Sequence, residues 1–387
     1  LAGGYSSKGV PGPQSSPTLD ATETDSSLRA SFRYVSDRFV SDAFDIDARL
    51  HAGYSGIDYV DADTPANDGD HKVFVGGLDL QQRWLGSSAF SCVYGVETSG
   101  TSALSDTVGR PWRIAVGAFL EPIIEVGRFS LRPALRYDYY SDFFAASPLG
   151  GLGATLGAAY RLSDTDVLKL NLSRTYRVPT FEDLYWPAAN GCAGNPGLKP
   201  ETAYSADLGF SRSDGSLMYN TIVHARYAKD VILWQAGSDG IWRPSNCGAA
   251  LYPGVEEEFR VSFSDHFWTS INYGFLYTYL LDAGMTIASN LRVPMVPVHS
   301  LNAVLGYDRG KLSWSITARY ASLRYLTTGN AAYLPSCLTL DAVIKWEFST
   351  RSVAYIAGDN LFDEQHESVK GYPMPGARLR LGIEMRF

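Results

Sequence analysis

Five aspartates gather within thirteen residues of the chain. The stretch YVDADTPANDGD holds Asp61, Asp63, Asp68 and Asp70, with Asp58 just before it. Calcium takes about 6–8 oxygen ligands, and a carboxylate-rich flexible loop can supply several of them. The Asp61-x-Asp63 spacing suits such a site, and Asp58, Asp61, Asp63 and Asp70 are its candidate ligands. No twelve-residue EF-hand loop follows, so a solvated acidic loop is the plain alternative. A second candidate is the stretch YWPAANGCAG, where Tyr185 and Trp186 present flat apolar surface beside polar Asn190. That combination suits contact with a ligand. The six histidines form no HExxH or other ligand spacing, and no GxSxG is present. GGLGATLG fails the phosphate-loop pattern at Leu156. Enzymatic chemistry therefore has no constellation to carry it, and the chain reads as a non-enzyme.

The four cysteines, Cys92, Cys192, Cys247 and Cys337, form no CxxC pair. A zinc ribbon or a thioredoxin-like motif is excluded. Cys92 shares parity with Phe90, Tyr94 and Val96 and reads as an inert apolar-face residue. A Cys192–Cys247 disulfide is expected on an oxidising side, if the two Cα atoms come within about 7 Å.

The elements that must position these residues repeat one pattern. In RLRLGIEMRF, residues 378–387, Leu379, Leu381, Ile383, Met385 and Phe387 alternate with Arg378, Arg380, Gly382, Glu384 and Arg386. FDIDARLHAGYSG, KLSWSITARY and LTLDAVIKWEF alternate in the same way. Side chains on a strand point to opposite faces in turn, so these are strands with one apolar and one strongly polar face. About eighteen such segments can be counted, most of them near or above the roughly 9–11 residues that a tilted strand needs to cross a bilayer. The connectors alternate too. Short ones such as residues 86–88, 126–128, 308–310 and 349–351 are interleaved with long ones such as 98–110, 179–200 and 283–298. The connector near Gly237–Gly240 breaks this length rule.

Short turns at one end and long loops at the other describe a transmembrane antiparallel β-barrel of class all-β. Apolar stripes then face lipid, polar stripes face a lumen, and closure keeps backbone groups paired in hydrocarbon. Glu257 is the exception, sharing parity with Val255, Phe259 and Val261. Either a bulge resets the parity there or Glu257 lies near an interface. Charged residues are 19% of the chain, tyrosines number 24 and tryptophans 8, which suits interfacial aromatic girdles. A net charge of −8 without a Lys/Arg-rich block argues against nucleic acid as a partner. No apolar run is long enough for a membrane-spanning helix. The chain starts at Leu1, with no cationic start and apolar core, so a signal peptide is expected to be removed or absent here.

The ending resembles the sorting signal read by the outer-membrane assembly machinery, through Arg380, Gly382, Met385 and Phe387. The longer stretch GDNLFDEQHESVKGYPMPGARLRLGIEMRF resembles the C-terminus of TonB-dependent outer-membrane receptors, with Asn360, Leu361 and Phe362, then Gly371 and Pro375. SRTYRVPTFEDLYW followed by GNPGLKPE resembles a further block of that family, at Arg177, Pro179, Thr180, Leu184, Tyr185, Gly194, Asn195, Pro196, Leu198, Pro200 and Glu201. The structural reading of this block is the stronger one, since its prolines end strands and Asn195-Pro196 starts a turn. SNCGAALYPGVE and RVPMVPVHSLN are similar to two more landmarks, and the cobalamin-receptor branch looks nearest.

The resemblance implies an N-terminal plug domain and a barrel of about 22 strands. Neither the plug nor the first four strands is found in residues 1–387, all of which read as barrel. It implies residence in the outer membrane of a diderm bacterium, surrounded by lipid. It implies uptake of a scarce small molecule or metal chelate, of cobalamin or iron–siderophore type. The TonB–ExbB–ExbD system would energise uptake through the plug, with Asp45, Asp47 and Arg49 as lumen-wall residues holding it. No cofactor is required, and calcium in acidic extracellular loops is what the cobalamin branch implies. The alternative is a passive porin of about eighteen strands.

Overall fold

The computed structural model describes residues 1–10, 12, 16–39, 41–142, 149–189, 191–282 and 291–385, without the side chains of Asn67 and Asp282. Nineteen strands form one antiparallel sheet. In chain order they are β1 (Ala2–Gly9), β2 (Ala21–Ser36), β3 (Phe44–Asp61), β4 (Gly69–Ser87), β5 (Phe90–Ser105), β6 (Trp112–Val126), β7 (Phe129–Asp142), β8 (Leu149–Arg161), β9 (Asp166–Arg177), β10 (Glu201–Ser213), β11 (Leu217–Ala236), β12 (Trp242–Ser262), β13 (Phe267–Leu276), β14 (Tyr279–Asp282), β15 (His299–Arg309), β16 (Leu312–Ala321), β17 (Cys337–Ser349), β18 (Ser352–Asp359) and β19 (Arg378–Met385). β14 prolongs β13 along β12 after a two-residue break. Eighteen spanning strands remain, the number expected from the alternation. Each pairs with its sequence neighbours, so the topology is an up-and-down meander. Among the described residues no pairing joins β19 to β1, and each of these strands is paired along one edge.

Alternation sets the two faces. On the outward face Leu50 pairs with Leu78, Leu120 with Leu135, and Leu170 with Leu208. These side chains stand exposed: Phe32 is 68%, Leu50 58% and Leu135 55% accessible. An apolar band of this extent needs hydrocarbon as its solvent. The lumen face instead carries ion pairs. Arg136 bridges Glu97 at 2.7 Å and Asp138 at 2.6 Å, Arg33 pairs with Asp47, and Arg319 with Asp341. Asp47 thus lies on the lumen wall, and Asp45 and Arg49 share its parity.

Rings collect on the outward face at the short-turn end. Trp84 meets Phe90 at 5.7 Å, and Phe263, Phe267, Tyr307 and Trp314 form a chain with centroid spacings of 4.8–5.9 Å. An apolar ring with one polar atom is at home where hydrocarbon gives way to water. Glu257 sits one outward step from Phe259, whose cross-strand partner is Tyr219 of this aromatic rim. The register runs unbroken through it on both sides, so no bulge resets the parity. The Thr221 hydroxyl donates to its carboxylate at 2.6 Å.

The last strand shows why its residue types are needed. Arg380 forks onto Asp359 with two bonds of 2.9 Å, tying β19 to β18 on the lumen side. Gly382 faces Tyr355 directly, and a Cβ there would lie 2.5 Å from the ring. Gly306 is covered by Trp268 in the same way. A ring laid on a glycine covers exposed backbone and lets the wall curve. Leu379, Leu381, Ile383 and Met385 are 57–71% exposed on the outward side. Phe387 lies outside the described residues.

Ile316→Arg, at an outward mid-strand position, is expected to cost about 2–4 kcal/mol, whereas Ser315→Arg, facing the lumen, stays close to neutral. Reversible denaturant unfolding in lipid vesicles measures both, and equal costs would contradict the facing. Gly382→Val should lower the yield of assembled barrel on a heat-modifiability gel. Adding Tyr355→Ala should restore it, because the clash needs both side chains.

Candidate functional site

The long connector 178–200 is not a loose loop. Pro179 ends β9, and Thr180 caps a single helical turn, α1 (Phe181–Tyr185). The Thr180 hydroxyl accepts from the Asp183 amide at 3.1 Å, and the Asp183 carboxylate accepts from the Thr180 amide at 3.0 Å. This reciprocal box satisfies two orphan donors of the turn. The other Asp183 oxygen accepts the indole N–H of Trp234 at 3.1 Å, joining α1 to β11. Leu184, Leu198 and Ile232 form a small buried cluster, with Tyr185 packed against it.

Residues 191–195 then add themselves to β12. The Trp242 amide donates to Gly191 at 2.7 Å, and the Ala193 amide donates back to the Trp242 carbonyl at 2.9 Å. The Gly194 amide donates to Trp186 at 2.8 Å. A Cβ on Gly194 would lie 2.6 Å from the Trp186 nitrogen, so this approach requires glycine. Asn195 reaches the Pro244 carbonyl at 3.0 Å, and Asn246 holds Lys199 by both its amide and its carbonyl. Arg177 forks onto Glu201 at 2.8 and 2.9 Å, and Glu201 also accepts the Ile232 amide at 2.6 Å. Below the connector, Arg113 grips Asp142 with two bonds of 2.6 Å and donates to the Pro179 carbonyl at 3.0 Å. Its guanidinium stacks 5.1 Å from the Phe181 ring. The Asp142 side chain is fully buried.

This scaffold gathers tryptophans. Trp186 meets Trp234 edge to face at 6.2 Å, and Trp242 stands 48% exposed on the strand that holds residues 191–193. Trp186 and Trp234 thus meet ring to ring, Trp242 takes the same face of the β11–β12 hairpin as Trp234, Tyr185 packs against the buried cluster beside them, and Asn190 lies outside the described residues. The alternation left the last two unnoticed. The signal was the connector near Gly237–Gly240, too short for its end of the barrel. β11 and β12 are 20 and 21 residues long and rise past the other strands, so the protruding element is a hairpin with a short tip. At that tip the Arg243 guanidinium, followed by the Ile241 amide, holds Asp239 below the usual carboxylate range. Burial, and after it the Asp142 carboxylate, pushes the Tyr185 phenol up to about 12.

The other candidate sites fare differently. Asp58 lies opposite Asp70 on β3 and β4. Asp61 is fully buried, and its carboxylate accepts from the Asp63 and Thr64 amides at 3.2 and 3.3 Å. Asp70 is held by Lys72. One oxygen of Asp61 and one of Asp70 are engaged in this way, while the other Asp61 oxygen is buried without a hydrogen-bond partner. Among the described residues no three His, Cys, Asp or Glu side chains gather where an ion could sit. The Cys192–Cys247 disulfide is corrected: all four thiols are free. Cys192 bridges to Trp242, five positions along β12 from Cys247. Five residues of strand span about 16 Å, well beyond disulfide reach.

A family model described as "TonB dependent receptor-like, beta-barrel" matches residues 3–361. The vitamin B12 transporter BtuB of Vibrio vulnificus (strain YJ016) is 37% identical over 94 residues, 24% of this chain and 15% of its own length. BtuB of Vibrio cholerae serotype O1 (strain ATCC 39315 / El Tor Inaba N16961) is 21% identical over 378 residues, 95% of this chain and 57% of its own. The chain thus spans little more than half the length of even this relative. Among solved structures, the copper transporter OprC superposes with a TM-score of 0.80 at 15% identity, over 95% of this chain and 66% of that one. The FrpB iron transporter from Neisseria meningitidis gives 0.75 at 14% identity, over 95% and 63%. At such identities these two share the fold.

Arg113→Met leaves Asp142 buried and unpaired, at an expected cost of about 3–5 kcal/mol, much of which Arg113→Met/Asp142→Leu recovers. Limited proteolysis within residues 178–200 and denaturant unfolding read both. Because the Tyr185 phenol is raised, its packing contribution is complete below pH 10 and is lost as pH rises through about 12. At pH 11, phenolate absorbance at 295 nm should therefore be the same for the wild type and Tyr185→Phe.

Proposed function

The chain belongs to the TonB-dependent receptor β-barrel family, and from that premise we propose that it forms the wall and capture surface of an outer-membrane uptake receptor. The observation that carries the reading is the Trp186–Trp234 ring pair, tied through Asp183 to the tall β11–β12 hairpin at the long-loop end, with Tyr185 next in the connector and the exposed Trp242 on the same face of the hairpin. Rigid flat rings bind a large, partly apolar ligand at little entropic cost. The ligand class favoured is a corrinoid, since curated relatives named vitamin B12 transporter match along the chain. A ferric chelate is second, on the iron transporter that shares the fold. The chain does no chemistry of its own in this account. Energy coupling runs through the TonB–ExbB–ExbD system by way of a lumen-filling plug supplied outside these residues. The lumen ion pairs provide a charged wall for such a plug.

The test is binding to the purified full-length protein, followed by tryptophan fluorescence with cyanocobalamin and a ferric catecholate as separate probes. Saturable quenching by cyanocobalamin is expected. Trp186→Ala and Trp242→Ala should each weaken it at least about tenfold, as for a buried aromatic anchor. Unchanged affinity in both variants would remove the aromatic surface from the account. Uptake that persists without the proton-motive force would favour a passive pore.

A further inference from the structure

The lumen wall changes character between β9 and β16. On β2, β3, β5, β7, β18 and β19 it carries arginine–carboxylate pairs: Arg33 with Asp47, Arg136 with Glu97 and Asp138, Arg380 with Asp359. From β11 to β15 the register lines up neutral amides instead. Asn220 of β11 stands opposite Glu258 of β12, Glu258 opposite Asn272 of β13, and Asn272 opposite Asn302 of β15. Arg319 of β16, paired with Asp341, closes the row. Side-chain contacts make this one polar face. The Asn220 amide donates to Glu258 at 2.8 Å, the Asn171 amide of β9 donates to Asp207 of β10 at 3.0 Å, and His224 lies 3.9 Å from Glu256. The cross-strand row from Asp207 through Asn171 and Gly157 to Arg132 joins it to the face of Arg136.

Two concavities of about 580 and 590 Å³ lie on this wall and share Asn220, Ile222, Glu256 and Glu258. Asn272, Asn302 and Arg319 bound the first, and Asn171 and Asp207 the second. Gly274 and Gly209, without side chains, form part of their floors. Hydrogen-bonding capacity is left over here. Among the described residues the Asn272 side chain makes no hydrogen bond, and Oδ1 of Asn302 is buried without a partner. A buried acceptor without a partner is costly, and an occupant that donates an N–H removes that cost. On β11 Asn220 lies fourteen residues below Trp234, about 45 Å of strand, and three above the strand's start at the short turn. The row is therefore on the strands that carry the ring pair, but at the opposite end of the lumen.

We infer that this face of β9–β16 is the exit-side contact for cargo crossing the lumen, with Asn220, Asn272 and Asn302 hydrogen-bonding a neutral, amide-bearing ligand. The inference deepens the uptake reading and rests on it. A corrin ring carries a rim of primary carboxamides, each both donor and acceptor, as is each asparagine. Such neutral bonds guide a ligand and still let it leave. Glu256 and Glu258 disfavour a carboxylate at the same place, so the wall selects against an acidic periphery. The ion-paired remainder of the wall suits the plug.

The test separates capture from passage. Cells whose sole cyanocobalamin route is the full-length receptor report both surface affinity and the uptake rate at saturation. Asn272→Leu/Asn302→Leu should slow saturated uptake about fivefold per amide removed, with affinity unchanged. Asn272→Gln/Asn302→Gln keeps the amides and should retain most of the rate. Gln81→Leu, beside Arg33 and Asp47 on the ion-paired wall, should leave it unchanged. A monocarboxylate of cyanocobalamin should pass more slowly than its neutral parent, and Glu256→Gln/Glu258→Gln should narrow that gap. Uptake unaffected by the leucine pair would overturn the exit face. So would a matching loss of affinity, which would place the row in capture, or a new sensitivity to vancomycin, which would make the plug the occupant. If the leucine pair does not assemble on a heat-modifiability gel, Asn272→Leu alone decides, since that side chain is exposed and has no bond to lose. Wild type that binds no cyanocobalamin would overturn the corrinoid reading and this inference with it, whereas failure of the exit face alone leaves binding intact.

Discussion

Hydrocarbon offers no partner to a peptide group, and everything else in this molecule follows from that. Each N–H and C=O within the bilayer must find its mate on a neighbouring strand. The meander from β1 to β19 answers this with antiparallel ladders between sequence neighbours, interrupted at points such as the break between β13 and β14. Register cannot slip by one residue without turning every leucine into the lumen and every arginine into lipid. The strict alternation in strands as distant as β3 and β19 is the imprint of that penalty. The bonds that tie neighbours on the lumen side, such as Arg380 on Asp359, hold the same register in polar terms.

Beyond the bilayer the constraint relaxes, and the chain builds by other means. β11 and β12 continue as a free-standing hairpin, and the 178–200 connector is sewn to it. Here the stabilising contacts are those of an ordinary globular surface: a capping box, a small apolar cluster and a buried Arg113–Asp142 pair. Such a pair is costly to desolvate and more costly to break. It fixes where α1 sits on the rim. The Trp186–Trp234 pair is held in place by these bonds rather than by the barrel, which separates this rim tier from the wall physically.

The alternation of apolar and polar residues was enough to give the fold class, the eighteen spanning strands, the sorting of connectors and the facing of nearly every side chain, because period 2 is a local property that hydrocarbon enforces at each residue. Family-like motifs such as Arg177 to Glu201 were also legible, since their residue types are demanded by local geometry. What only the tertiary structure decided were distances between segments far apart in the chain. Cys192 and Cys247 lie on one side of the barrel but at different heights along β12, which no count of cysteines reveals. The aspartates at 58, 61, 63 and 70 have calcium-like composition, but only the folded loop shows that backbone amides and Lys72 occupy one oxygen each of Asp61 and Asp70 and leave the other Asp61 oxygen buried without a hydrogen-bond partner. Trp234 and Trp242 joined Trp186 through a hairpin whose height depends on how far two strands outrun the bilayer. Composition states which groups are available; only the closing of long loops, whose ends are brought together by strand register, states which of them meet.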